Sequence, residues 1–338
     1  MAKKRNKFLV VLLVVVLMLT ITACSNQTTA PAPEALVESK YPEKTINVLI
    51  GFKPGGGSDQ LAQLALPFLE KHLEGATFNK IYKEGAAGAV AWTELAKNTK
   101  NDGYTISVTN TPMLMTNYIT NDDIKYNITE FTPLANIVTD PGIIMVSKDS
   151  PFNTYQDFAD AVKAKPGEIT VANSGTGGDD FFNTLVWAKK TGLEVQMVPF
   201  QGDAPSWQNA AGGKVDVSFN NFGAVYPQVK AGNAKALAVM STERNPLLPD
   251  IPTLIELGVD MTGGSSRGLS APKGIPEDAR KALLDAITKM VNDPDFPAAA
   301  AKFSVPVDAI IGDDYVKYMQ DNEKIYTEIW NEIKDTLK

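Results

Sequence analysis

The sequence predicts an α/β protein built as two similar lobes that face each other. Short runs of β-forming residues alternate with amphipathic helical runs, the pattern of an open parallel sheet covered by helices. Glycine-rich turns recur at the carboxyl ends of the predicted strands in both halves of the chain. The 338 residues, 44% of them hydrophobic, also exceed what a single compact core usually holds.

Residues 1–23 precede the lobes and read as an export signal: Lys3, Lys4, Arg5 and Lys7 form a basic start, and Phe8–Leu19 is an apolar stretch short for a bilayer span. Cys24 is the sole cysteine, so no disulfide can form within the chain. The approach Ile21-Thr22-Ala23 to Cys24 resembles the lipobox of bacterial lipoproteins, which implies cleavage before Cys24 and lipidation of its thiol. A plain secreted protein and a signal anchor are the alternatives. Residues 24–40 are small, polar and proline-punctuated, as suits a tether between a lipid anchor and a folded body. Removing the signal takes four of the 32 basic residues and no acids, leaving 28 against 39 and a net charge of −11. That field excludes nucleic acid and anionic lipid as partners of the whole body, so an anionic ligand would need local donors.

The first strand is Ile46–Ile50, a mostly apolar run bounded by Pro42 and Gly51. Leu61, Leu64, Ala65, Phe68, Leu69 and Leu73 then recur at helical spacing, so residues 51–60, GFKPGGGSDQ, are a strand-to-helix loop. Asn79–Tyr82 is a second strand, Gly85–Gly88 a second glycine cluster, Val90–Lys97 a helix and Thr105–Val108 a third strand that ends in Thr109-Asn110-Thr111-Pro112. A long apolar passage, Leu134–Val146, is interrupted by Asp140-Pro141-Gly142.

The plan then repeats. Tyr155–Lys165 is an amphipathic helix, Ile169–Ala172 a strand, and Asn173–Gly178 a glycine-rich loop entering a helix over Phe181–Thr191. Val195–Pro199 is a strand, Phe200–Gly202 a turn, Ala204–Ala211 a helix and Val215–Phe219 a strand. The tail Pro276–Lys338 is mostly helical by pattern, most clearly over Glu277–Val291.

A loop that opens a helix after a strand exposes unpaired backbone N–H groups at the positive end of the helix dipole, and glycine lets a ligand approach that backbone closely. Gly55-Gly56-Gly57-Ser58 has this form and suits an anion such as a carboxylate. Taken alone, the loop could equally be a tight turn with Ser58 or Asp59 capping the helix. The recurrence at Gly85–Gly88, Ser174–Gly178 and Gln201-Gly202 favours a cleft lined by backbone donors.

The ordered motifs carry a resemblance. Tyr41–Ile46, Phe52–Asp59, Gly85–Gly88, Asp102–Thr105, Phe131–Leu134, Gly212–Asp216, Ala236–Val239, Pro249–Thr253 and Gly268–Pro272 resemble the successive motifs of the tripartite tricarboxylate transporter substrate-binding proteins, the Bug family. This resemblance implies a two-lobed periplasmic-binding-protein fold of type II topology, with the ligand cleft between the lobes. Lobe 1 is then expected over 41–140 plus 228–338 and lobe 2 over 141–227. It also implies an extracytoplasmic, lipid-anchored monomer that captures a small carboxylate for membrane permease subunits. No cofactor and no metal are expected. The ligand contacts it implies fall on Phe52, Pro54, Gly55, Gly56, Gly57, Ser58, Ala87, Thr109, Asn110 and Thr111 in lobe 1, and on Ser174, Thr176, Gly177, Gln201 and Gly202 in lobe 2.

One departure from the family pattern stands out. Gly178-Asp179-Asp180 puts two carboxylates where relatives carry a small polar residue and histidine. They either cap the helix or meet a cationic group, on an amino acid or as a chelated cation. Asn220, with Asn221, is expected to offer amide donors that offset them.

No catalytic constellation is legible. His72 is the single histidine and sits away from the strand-end loops, and the chain has no G-x-S-x-G elbow or phosphate-binding G-x-x-x-x-G-K-[ST] loop. Gly175–Gly178 lacks the third glycine of a dinucleotide fingerprint, because Asp180 stands in its place. The expectation is a binding protein and not an enzyme. A sensor-kinase co-receptor and an anchored hydrolase using Asp179 or Asp180 are the alternatives.

Overall fold

The computed structural model describes residues 40–200, 202–303 and 305–335. The signal, lipid-anchor and tether expectations on residues 1–39, Cys24 included, lie outside them. So does Gln201. No helix among the described residues is long and apolar enough to cross a membrane.

Two sheets share one strand. The first has the order β2 (Phe78–Tyr82), β1 (Ile46–Ile50), β3 (Thr105–Thr111), β9 (Gly264–Pro272) and β4 (Phe131–Ser147), with β10 (Val307–Ile311) also on β4. The second has the order β6 (Gln196–Pro199), β5 (Thr170–Asn173), β7 (Val217–Asn221), again β4, with β8 (Ala234–Val239) on the far side of β4. Each lobe thus places its second strand outside its first, its third inside, and then a strand that has crossed from the other lobe. This is the two-lobed α/β architecture that the sequence predicts.

The shared strand corrects one element. Asp140-Pro141-Gly142 reads in sequence as an interruption, but β4 runs unbroken through it for 17 residues. Its first part, to Pro141, pairs with β9, and Gly142–Met145 pairs with β7. Proline is tolerated here because Pro141 sits where the strand passes from one sheet to the other and a ladder bond is dispensable. Pairing also places Ala234–Val239 in the second sheet, through contacts such as Ile144 with Ala238. A lobe boundary drawn on strand pairing therefore falls within 240–263, later than the residue 228 expected.

Helices cover both sheets. In lobe 1, α1 (Gly57–His72) buries Leu61, Leu64, Ala65 and Leu69 against Ile46, Val48 and Ile106. Residues Ala89–Thr93 form α2, and Met113–Thr120 form α3. In lobe 2, α4 (Tyr155–Ala164), α5 (Asp179–Thr191), α6 (Asp203–Ala211) and α7 (Phe222–Lys230) surround β5, β6 and β7. The tail gives α8 (Glu277–Val291), α9 (Phe296–Ala301) and α10 (Asp313–Ile333). The last of these touches both lobes: Tyr315 and Met319 join the lobe 1 core, and Tyr326 meets the Phe182 ring on α5 at 5.1 Å. Trp92 and Trp187 are fully buried in the two lobes, with their indole N–H groups bonded to Val108 O and Tyr155 OH. The core takes them, as amphipathic placement predicts. His72 lies at the end of α1, where Nε2 meets Asp293 Oδ2 at 2.7 Å.

Candidate functional site

A cavity of about 1250 Å³ lies where the strand ends of the two sheets converge. Lobe 1 lines it with Phe52, Gly56, Gly57 and Ser58 after β1, Gly85, Ala87 and Gly88 after β2, Asn110 at the end of β3, Asn117 and Thr120 of α3, and Ser265 and Arg267 of β9. Lobe 2 contributes Ser174–Asp179, Pro199, Phe200, Gly202, Asp203 and Asn221. A hydrogen bond spans the gap, from Thr116 Oγ1 of α3 to the Gly177 carbonyl at 2.6 Å.

Of the residues expected at the site, the fold brings Phe52, Gly56, Gly57, Ser58, Ala87, Asn110, Ser174, Thr176, Gly177 and Gly202 to this one cavity. Pro54 and Gly55 stand exposed on the outer crest of their loop instead. Thr109 and Thr111 are withheld by strand alternation, which turns Asn110 to the cavity and its neighbours away. Thr109 meets Ser270 Oγ at 3.3 Å and Thr111 meets Tyr315 OH at 3.5 Å. The same alternation separates Asn220 from Asn221. Asn220 is fully buried, with its amide aimed at Asp203 O and Ser218 Oγ, while Asn221 faces the cavity.

The lobe 1 loop is only partly open as an anion site. The Gly55 N–H donates to Asp59 Oδ2 at 2.8 Å, and Gly56 N–H donates to Lys53 O at 3.2 Å. Ser58 spends its hydroxyl proton on Asn110 Oδ1 at 2.8 Å and does not cap the helix. Gly57, Ser58 and Asp59 open α1, where first-turn amides have no acceptor within the helix. Asp59 also accepts from Tyr82 OH, Gln63 Nε2 and Lys80 Nζ at 2.7–3.0 Å. Burial alone would raise its pKa, but these four donors prevail and hold the carboxyl well below the usual range. Across the loop, Ala86 and Ala87 take left-handed φ of 46° and 50°, and Asn117 Nδ2 reaches both carbonyls. Such strain in non-glycine residues persists where surrounding structure enforces it.

Arg267 is the cation that sequence reading missed. Its side chain enters no hydrogen bond or ion pair among the described residues, and its Nε is buried without a partner. By contrast Arg244 is paired with Glu256, and Arg280 with Glu277 and Asp313. The guanidinium lies against the first turn of α1: a Cβ on Gly57 would fall 2.5 Å from Nε. The signal was present in the sequence as a lone arginine in the small, apolar run GSSRGLSAP.

Lobe 2 presents acids. The helix α5 starts at Asp179, with Gly178 as its N-cap and no capping side chain, so neither aspartate is a cap. Asp179 accepts from Asn221 Nδ2 at 2.7 Å. Asp180 is fully buried, and neither oxygen has a hydrogen-bond partner among the described residues. Burial, with the charges of Asp179 and Asp203 added, drives its pKa well up, and the Ser174 hydroxyl beside it pulls the other way. Asp203 is pushed up to about 7, by burial first and by Asp179 next, with Arg267 opposing. Asp140 is raised by burial too, although Arg267 and the Gly223 N–H, which bonds Oδ1 at 2.8 Å, lower it. Several lobe 2 amides are consumed internally: Gly175 N–H by Asn173 Oδ1, Gly178 N–H by Gly175 O, and Gly202 N–H by Ser174 O. Beside their amides the two mouths differ in charge: Arg267 stands in the lobe 1 wall, Asp179 and Asp203 in the lobe 2 wall.

The model of the tripartite tricarboxylate transporter family receptor matches residues 79–334 of the chain. Among solved structures, a TctC solute-binding protein from Polaromonas is 28% identical with a TM-score of 0.76, covering 86% of this chain and 99% of its own. A Rhodopseudomonas palustris protein solved with adipate is 25% identical with a TM-score of 0.72, covering 86% and 97%. MatC from the same organism, solved with bound malate, is 25% identical with a TM-score of 0.70, covering 86% and 99%.

Proposed function

Because the chain belongs to the tripartite tricarboxylate transporter receptor family, we propose that this solute-binding protein traps a small carboxylate between its lobes and presents it to a membrane permease. It works outside the cytoplasm, tethered through a lipid on Cys24. The observation that carries the ligand class is the Arg267 guanidinium, without a partner among the described residues and set beside the first turn of α1 in the wall of the cavity. A carboxylate there meets a charged fork and helix-start donors, which is the favoured geometry for that group. Phe52, packed edge-on to Trp92 at 6.2 Å, supplies an apolar cover. Adipate and malate in two structural relatives support the same class.

The lobes close by a change at their shared strands, and a bridging solute favours closure because it meets both walls at once. The test is a thermal-shift panel of mono-, di- and tricarboxylates and amino acids on ligand-free protein. A true ligand at about 100 times its dissociation constant adds about 2.7 kcal/mol. A panel with no shift at all would remove this reading. Capture of the protein's partner from membranes tests the permease.

A further inference from the structure

The wall that faces Arg267 has the wrong sign for a simple carboxylate. Asp179 and Asp203 line it, with Asp179 only 2% exposed. A polycarboxylate that neutralised Arg267 would still place its remaining charge against these acids. Asn221 adds an independent observation. Its Nδ2 donates to Asp179 Oδ2, which fixes the orientation of the amide, because the reverse orientation would set two acceptors face to face. The Oδ1 atom is thereby left as an acceptor, buried in a residue 3% exposed on the cavity wall, with no partner among the described residues. Buried acceptors without partners are rare because they cost free energy until a donor arrives. A group with several N–H donors and a positive charge satisfies Asn221 Oδ1 and the two carboxylates together. No group of three or more acidic, histidine or cysteine side chains that could hold a metal ion occurs among the described residues.

We propose that the solute is a zwitterion, held by its carboxylate at Arg267 and the first turn of α1 and by its cationic amino group at Asp179, Asn221 Oδ1 and Asp203. This deepens the carboxylate-binding reading and rests on it. The ligand lies across the gap with a fixed polarity, negative end on lobe 1 and positive end on lobe 2. Asp203, facing Asp179 and Asp180 of α5, Asp140 of β4, Arg267 of β9 and the Ser174 hydroxyl, is the group that an arriving ammonium recharges. Binding of the amine therefore releases protons near neutral pH.

The experiment is calorimetric titration of the purified protein, in the presence of a chelator, with matched pairs that differ only in the amino group. The pairs are α-amino acids and short ω-amino acids, each against the same acid lacking nitrogen. The expected result is that at least one aminated member binds about tenfold or more tightly than its partner, with proton release at pH 7. Asp179→Asn should erase that preference, and Asp203→Asn should reduce it and abolish the proton release while keeping the fold. If the nitrogen-free acids bind as tightly as their aminated partners, or more tightly, the zwitterion is overturned while the carboxylate reading stands. If no member of any pair binds, both fall.

Discussion

The two lobes share a strand order and a glycine loop before a helix, yet they treat an aspartate near the start of that helix in opposite ways. In lobe 1, Asp59 receives donors from Gly55, Gln63, Lys80 and Tyr82 and stays ionised well below the usual range. In lobe 2, Asp180 receives none among the described residues and keeps its proton far above it. The outer strand supplies two of those four donors. Tyr82 and Lys80 of β2 pair with Ile50 and Val48 of β1, whereas the corresponding partners of Asn173 and Val171 are Pro199 and Met197. A phenol and an ammonium in one lobe are replaced by side chains with no polar hydrogen in the other. Neutralising Asp59 locally leaves the lobe 1 mouth to Arg267 and its amides. In lobe 2, Asp179 and Asp203 line the facing mouth and give it the opposite sign.

The contrast breaks most visibly at Asp59. Asp59→Ala should lower stability by about 1–3 kcal/mol in chemical denaturation, because it removes the shared acceptor of the half-buried Tyr82, the Gly55 amide, Gln63 and Lys80. Next is Arg267→Gln, expected to weaken carboxylate binding by about 2 kcal/mol, roughly thirtyfold, with little change in melting temperature.

The pH response sharpens the comparison. The pKa of Asp59 is lowered on folding, so its contribution holds above the unfolded value of about 3.9 and fades as pH falls through the folded one. Asp203 is the reverse case: its contribution is full below about 3.9 and lost as pH rises through about 7. Going from pH 8 to pH 5, amide protection over 170–221 should therefore rise by roughly a kcal/mol or more, while that over 46–111 stays level. Asp203→Asn should flatten the lobe 2 response. The smallest effect is expected from Gly57→Ala. The new methyl pushes the Arg267 guanidinium aside and costs several-fold in carboxylate affinity, while the gain of about 1 kcal/mol in helix propensity keeps the fold at least as stable.

The local pattern was legible wherever periodicity and turn chemistry act alone. Ile46–Ile50, Tyr155–Lys165 and Glu277–Val291 fall on observed elements, and the glycine loops do converge on one cavity. What escaped depends on pairing between distant segments. Asp140-Pro141-Gly142 looks like a turn unless β9 and β7 are known to hold it extended. Arg267 looks like a strand residue until β3 and β4 place it beside Gly57, some two hundred residues earlier. Asn220 and Asn221 could be told apart only once the strand's faces were known. The acids at 179 and 180 were seen, but their missing donors belong to other elements.

The single strand common to both sheets has a mechanical meaning. At the crossing, Gly142 N–H bonds to Gly263 O, Met240 N–H to Gly142 O and Gly263 N–H to Met240 O, so the lobes meet through a laddered joint rather than through slack peptide. Gly142 and Gly264 keep it thin: a methyl at either would strike Met240 Sδ or the Asp140 carbonyl. Such a joint behaves as a torsion bar. It permits a small change of twist and resists free swinging, so arresting it around a solute forfeits little disorder, and more of the contact energy is retained as affinity.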